Sequence, residues 1–233
     1  MKKILITILS CLSLVVSAQQ SVGVQIAFDQ PRLLLNDGTS KKLSNRTTFN
    51  GFKAGIVYDA TLIKGFGFSL ALNYGFSRHH TKWTTDKSYQ GTAHQIKNQS
   101  YIHTLEIPID WQYKFEIAKE FYLILYTGPA LQYNFVFKEK TSKRSLQDPD
   151  NISSTSHSRY SVNNDDDKLK DYTPLNLLWS VGAGIQYQRY FIRAGYDFGI
   201  YNPFRDVNLG NEYKMRGRFD QWQIKFGIYF ASF

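Results

Sequence analysis

Phe66-Gly67-Phe68-Ser69-Leu70-Ala71-Leu72-Asn73-Tyr74-Gly75-Phe76-Ser77 alternates without a break between bulky apolar residues and small or amide ones. A β-strand sends successive side chains to opposite faces, so this stretch has one face of Phe, Leu and Tyr and another of Gly, Ala, Ser and Asn. In a soluble barrel the face turned away from the apolar core would be rich in Lys, Glu and Thr. Small residues instead fit the crowded interior of a narrow barrel, and a charge-free apolar face fits lipid. The pattern recurs from Thr48 to Phe233 and predicts transmembrane strands.

Apolar parity predicts eight strands: Ser21 to Asp29, Phe49 to Asp59, Phe66 to Arg78, Ser100 to Phe115, Phe121 to Phe137, Leu175 to Gln188, Phe191 to Tyr201 and Phe219 to Phe230. The connections Ala60 to Gly65, Glu116 to Glu120 and Arg189 to Tyr190 are short. They alternate with the long Gln30 to Thr48, His79 to Gln99, Lys138 to Pro174 and Asn202 to Arg218. The expected fold is all-β, an eight-stranded antiparallel up-and-down transmembrane barrel. Short turns are periplasmic in such barrels and long loops extracellular, which puts both termini in the periplasm. Trp111, Tyr113, Phe115, Phe66, Phe68 and Phe121 would form a lower aromatic girdle. Tyr74, Phe76, Tyr133, Phe135, Trp179 and Trp222 would form an upper one, with aliphatic residues between.

Lys2 and Lys3, the apolar run Ile4 to Val16 and then Val16-Ser17-Ala18 read as a secretory signal peptide, residues 1–18, leaving 19–233 as one barrel domain. Cys11 lies inside the apolar run without the flanks of a lipidation site, so the mature chain has no thiol chemistry. Mean hydropathy is −0.37 because half of each barrel strand and all of the loops are polar. Aromatic residues reach 16%, as interface girdles require. The net charge of +9 raises the question of nucleic acid, but the basic residues form no single stripe and the aromatics lie on the lipid face, so nucleic acid is not expected.

The inward parity carries Lys53, Asp59, Glu106, Asp110, Lys114, Arg193, Asp197 and Lys225. A lumen this narrow holds only side chains, so these charges should pair, Glu106 and Asp110 with Arg193 and Lys225, and plug the barrel. Glu106 and Asp110 lie about 13 Å apart along their strand, too far for a glycosidase pair. Pro108 and Pro129 fall almost opposite each other, which predicts a bulge where the fourth and fifth strands meet.

His79, His80, His94, His103 and His157 have no metal-ligand spacing, and Ser77 with His79 or His80 is the best available catalytic set without triad spacing. Asp165, Asp166 and Asp167 lack a calcium-loop frame, and with Ser153 to Ser156 they give the third loop a mobile reading. No cofactor, metal or catalytic residue is expected. The other loops are basic. Lys41, Lys42, Arg216 and Arg218 are candidates to contact lipopolysaccharide phosphates.

Three segments carry a family resemblance: LEIPID with YKF (Leu105 to Asp110, Tyr113 to Phe115), YTGPALQY (Tyr126 to Tyr133) and GAGIQYQRYFIRAGYDFGIYN (Gly182 to Asn202). Together they resemble the PorT-like outer-membrane β-barrel family of Bacteroidota. The resemblance implies an eight-stranded barrel, a Glu-Ile-Pro strand at Glu106 to Pro108, a Gly-Pro strand at Gly128 and Pro129, and a hairpin with Arg193 and Tyr196. It also implies an accessory role in type IX secretion as one possibility. Such chains end on an outward aromatic read by the barrel-assembly machinery; here Phe230 has outward parity and Phe233 does not.

The expected function is that of a non-enzymatic outer-membrane barrel with a plugged lumen, acting as a structural or surface-interaction protein through its loops. An accessory secretion component is the alternative, and a lipid-modifying hydrolase a weaker one. Expected partners are outer-membrane lipids, lipopolysaccharide, the assembly machinery and secretion-system components.

Overall fold

The computed structural model describes residues 19–36, 43–86, 94–146, 148, 150–158, 173–203 and 216–232. The expected signal peptide, Lys41, Lys42, Asp165 to Asp167 and Phe233 lie outside the described residues. In chain order the strands are β1 (Gln19–Asn36), β2 (Leu43–Thr48), β3 (Asn50–Ile63), β4 (Phe66–His80), β5 (Thr84–Asp86) and β6 (His94–Ala118). They continue with β7 (Phe121–Ser145), β8 (Ile152–Ser158), β9 (Leu175–Tyr187), β10 (Tyr190–Gly199) and β11 (Gly217–Ser232).

Eight of these close an antiparallel ring in the order β1, β3, β4, β6, β7, β9, β10, β11, with β11 pairing back onto β1. The chain is an eight-stranded up-and-down barrel. Paired residues followed once around the ring run Gln19, Thr61, Gly67, Gln112, Tyr126, Gly182, Gly195, Gln223 and return to β1 at Asp29. That climb of ten residues, Gln19 to Asp29, is the stagger that tilts the strands and fixes which inward side chains share a height.

One end of the barrel is closed by two-residue turns. In the first, Lys64 (φ 48°) and Gly65 (φ 86°) both take left-handed conformations, as the turn that matches strand twist demands. At the other end most of the described residues of the expected loops are sheet. β1 runs on to Asn36 and pairs with β2, while β6 and β7 extend well past the ring and pick up β5 and β8 on either side. Ser153 to Ser156, expected in a mobile loop, instead pair with Lys140 to Lys143 as part of β8. Loss of the barrel's regular rim leaves backbone donors that a hairpin satisfies by pairing with itself.

The prolines break ladders without shifting register. Pro31 lies between the pairs Asp29–Gly51 and Arg32–Thr48, which keep one register across the gap separating β2 from β3. The β4–β6 ladder skips Ala71 and Leu72 opposite Pro108 and Ile107, and the β6–β7 ladder skips Ile109 and Asp110 opposite Pro129 and Gly128. The expected bulge is therefore absent at the prolines. A missing donor costs one ladder bond, whereas a slip there would turn the membrane-spanning faces inside out. The register shift lies farther up, where His103 pairs with Val136 but Thr104 pairs with Asn134. Beyond it the parity of β7 reverses, so that Phe137 is buried and Lys138 is exposed.

The outward face is apolar as expected: Ile26, Phe52, Ile56, Leu72, Leu105, Leu125 and Ile192 are all at least two-fifths exposed. Tyr74, Phe76, Tyr101 and Phe135 gather around His103, whose Nδ1 lies 2.6 Å from the Tyr74 hydroxyl. The girdle assignment needs one correction, since Trp111 and Trp179, expected at opposite interfaces, lie against each other with tilted rings, centroids 6.1 Å apart. Strand tilt separates position along a strand from depth in the membrane. A closed ring of this kind should be heat-modifiable, migrating differently in a detergent gel before and after boiling. Identical mobilities would contradict ring closure.

Candidate functional site

The lumen contains two polar layers. In the layer nearer the short turns, Asp59 of β3 accepts hydrogen bonds from Arg193 Nη2 at 2.6 Å and from the Tyr229 hydroxyl, with Lys114 Nζ 3.3 Å away. Arg193 also donates to Ser69 Oγ at 3.0 Å and lies over the Phe191 ring. In the second layer Lys53 Nζ lies 2.5 Å from Glu106 Oε2 and 3.7 Å from Asp29 Oδ2. Gln221 Nε2 bridges Glu106 (2.9 Å) and Asp197 (2.6 Å), and Gln223 adds a bond to Asp197 at 2.7 Å. Gln132 and Asn176 extend this amide belt. Between the layers Asp110 is 2% exposed, and Lys225 Nζ sits over the Tyr126 ring, 5.6 Å from its centroid.

The pairing differs from the expected one. Glu106 meets Lys53 rather than Arg193 or Lys225, and Arg193 meets Asp59. The stagger sets this, together with glycines that leave channels for long side chains. A Cβ on Gly75 would lie 3.1 Å from Lys53 Cγ, and one on Gly184 would lie 2.8 Å from Arg193 Cγ. The small-residue face thus gives Lys53 and Arg193 a path across a neighbouring strand.

Asp29 and the amides Gln25, Gln132, Asn176, Gln221 and Gln223 were not singled out in the sequence, yet all are buried in the lumen. Asp29 stood at the end of its expected strand. The continuation of β1 to Asn36 makes it an interior residue, so the described inward acids are Asp29, Asp59, Glu106, Asp110 and Asp197 against Lys53, Lys114, Arg193 and Lys225. The amides were visible as inward-parity Gln and Asn, a signal the charge pattern overshadowed.

Above the second layer Leu33, Phe49, Ile102, Phe137 and Phe219 form a buried apolar cluster toward the long hairpins, with Phe49 and Phe137 edge to face at 6.1 Å. At the opposite end the lumen opens into a vestibule of about 480 Å³ lined by Gln19, Ser21, Thr61, Lys64, Lys114 and Glu116 among others.

The remaining candidates do not converge. His79 Nδ1 lies 2.7 Å from the Thr48 carbonyl and its ring packs on Phe49, Ser77 is buried in the lumen, and His80 is exposed on the other face. His94 belongs to β6 and His157 to β8. Among the described residues no group of three His, Cys, Asp or Glu side chains is arranged to hold a metal ion. Of the four candidate lipopolysaccharide contacts, Arg216 is exposed and Arg218 Nη2 is 3.0 Å from Asp220 Oδ2.

Residues 17–205 match the family described as "Outer membrane protein beta-barrel domain". The chain belongs to this family. Membership places it in the outer membrane of a Gram-negative bacterium. Among solved structures it is similar to Ail of Yersinia pestis, in complex with the heparin analogue sucrose octasulfate, at 12% identity and a TM-score of 0.41, covering 91% of this chain and 99% of that one. Neisserial surface protein A gives 14% identity, a TM-score of 0.33 and coverage of 89% and 97%. The N-terminal barrel domain of Pseudomonas aeruginosa OprF gives 12%, 0.30, and 90% and 99%. No function carries across at such distances. Comparison with curated proteins found no match.

Proposed function

We propose that this member of the family is a non-enzymatic surface-interaction protein, its lumen closed and its recognition elements carried on the long hairpins. The carrying observation is the filling of the lumen by two polar layers and an apolar cluster, with Glu106, Arg193 and Phe137 each at most 2% exposed. A barrel so filled offers no diffusion path, and hairpins on a rigid scaffold are where such folds carry recognition. The short-turn end, and with it both termini, faces the periplasm, and the hairpins face outward. Lipopolysaccharide and other outer-membrane lipids are the partners the basic rim fits. Protein reconstituted in planar bilayers should show no sustained conductance. Porin-like steps would refute the closed lumen, and loss of an activity on a lipid substrate in His79→Ala or His80→Ala would refute the non-enzyme reading.

One observation favours a second reading, an accessory secretion component of the PorT-like kind. The polar vestibule at the short-turn end has the position a periplasmic partner would need. Crosslinking in intact outer membranes followed by pull-down would favour it if Lys64 and Lys119 in the turns are the crosslinked sites. Crosslinks confined to the hairpins would favour the first reading.

A further inference from the structure

The outer face of the sheet formed by β4 through β7 above the aromatic ring is cationic. Pairing places Arg78 of β4 beside Tyr101 of β6 and Lys138 of β7 in one row, and His80 beside Gln99 and Lys140 in the next. Lys97 and Arg144 follow on the same face, and both approach Trp83, with Lys97 Nζ 5.9 Å and Arg144 Cζ 4.4 Å from its ring centroid. Arg144 is further held by a 2.8 Å bond from its Nε to Gln95. By the spacing of paired strands and pleats, these cations occupy a strip about 20 Å long and about 10 Å wide.

Three features single out this strip. Its face is continuous with the lipid-facing one: Tyr101 joins the aromatic cluster of Tyr74, His103 and Phe135 directly below it. That cluster marks the level where hydrocarbon gives way to head groups. Secondly, the described side chains of β4, β6 and β7 put no carboxylate on this face above the cluster, since Glu139 pairs with the buried Ser100 and points to the other side. Thirdly, the basic Arg218 on β11 is compensated, because Asp220 holds it at 3.0 Å and also accepts from Tyr196. The register shift between His103 and Thr104 makes the strip, for without it Lys138, Lys140 and Arg144 would face the other way.

We infer that this strip, centred on Lys97, Lys138, Lys140 and Arg144 with Trp83, is a docking surface for the phosphorylated head groups of outer-leaflet glycolipid. The inference rests on the outward orientation of the hairpins proposed above, and it moves the lipid-contacting site from the loops to the side of the sheet. Lipid is favoured over a soluble polyanion because the strip faces sideways along the membrane surface. Each cation near the membrane surface adds to the attraction toward an anionic lipid.

The test uses the folded full-length barrel in detergent, with purified bisphosphorylated lipid A in mixed micelles as the probe. Replacing Lys97, Lys138, Lys140 and Arg144 with Gln should weaken binding by at least about tenfold and flatten its salt dependence. Because Arg144 also anchors the sheet, a second variant changes only the three lysines and should show a smaller loss in the same direction. Removing charge from the turns, at Lys64 and Lys119, should change nothing. Wild-type protein should bind dephosphorylated lipid A weakly. Unaltered binding in the strip variants, equal binding of dephosphorylated lipid A, or tighter binding of soluble heparin than of lipid A would each overturn the assignment. Conductance is untouched by these changes, so a failure here is separable from failure of the closed-lumen reading.

Discussion

Glu106→Gln is expected to lower the unfolding free energy of the barrel by about 3–5 kcal/mol, seen as a shift of the urea midpoint in lipid vesicles followed by tryptophan fluorescence. The carboxylate accepts from Lys53 at 2.5 Å and from Gln221 at 2.9 Å. Gln keeps the shape and removes the charge, which leaves Lys53 buried with Asp29, 3.7 Å away, as its remaining ion-pair partner among the described residues. A cation without its counter-ion in so dry a place is costly because water cannot reach it. Pairing the change with Lys53→Met should recover part of the loss, since both charges are then gone. The coupling between the two sites should persist in 1 M salt, where surface pairs are screened. A midpoint matching the wild type would remove the Lys53–Glu106 pair from the account of stability.

Phe137→Ala is expected to cost a similar amount, about 3–5 kcal/mol, for a different reason. Its ring is 2% exposed, packs against Phe49 and completes the apolar cluster above the polar layers. Truncation leaves a cavity among Leu33, Ile102 and Phe219 that a closed ring of hydrogen-bonded strands cannot collapse to fill. The variant should nevertheless remain electrically silent in a planar bilayer, because the Lys53–Glu106–Gln221 layer lies beneath the cavity. Opening of a conductance would assign closure to the apolar cluster alone.

Much of this protein is legible from its residues in order. A strand's two faces are a local property, so Phe66 to Ser77 announces lipid on one side and a crowded interior on the other before any partner strand is known. Counting such stretches gives the eight membrane-spanning strands and their alternating connections, and parity alone places Lys53, Glu106, Lys114, Arg193 and Asp197 inside. The prolines were legible as ladder faults but not in their outcome, because a missing donor can be met by a gap as well as by a bulge. Hairpin extensions escaped notice because β8 and the upper part of β7 are rich in Ser, Thr and Lys, and the upper part of β6 in Gln and Asn. Nothing apolar there marks a face, and sheet above a membrane needs none.

The sequence by itself determined the eight membrane-spanning strands, the lipid face and most of the buried charges, since each depends only on side-chain alternation within one strand. The tertiary structure decided who meets whom. The ten-residue stagger brings Lys53 rather than Arg193 to Glu106, and it sets Trp111 against Trp179. One register shift beside His103 sends Phe137 into the lumen and turns Lys138, Lys140 and Arg144 outward. Both are relations between strands, the first fixed by closure of the ring and the second by pairing within the β6–β7 hairpin, and alternation along a single strand carries no trace of them.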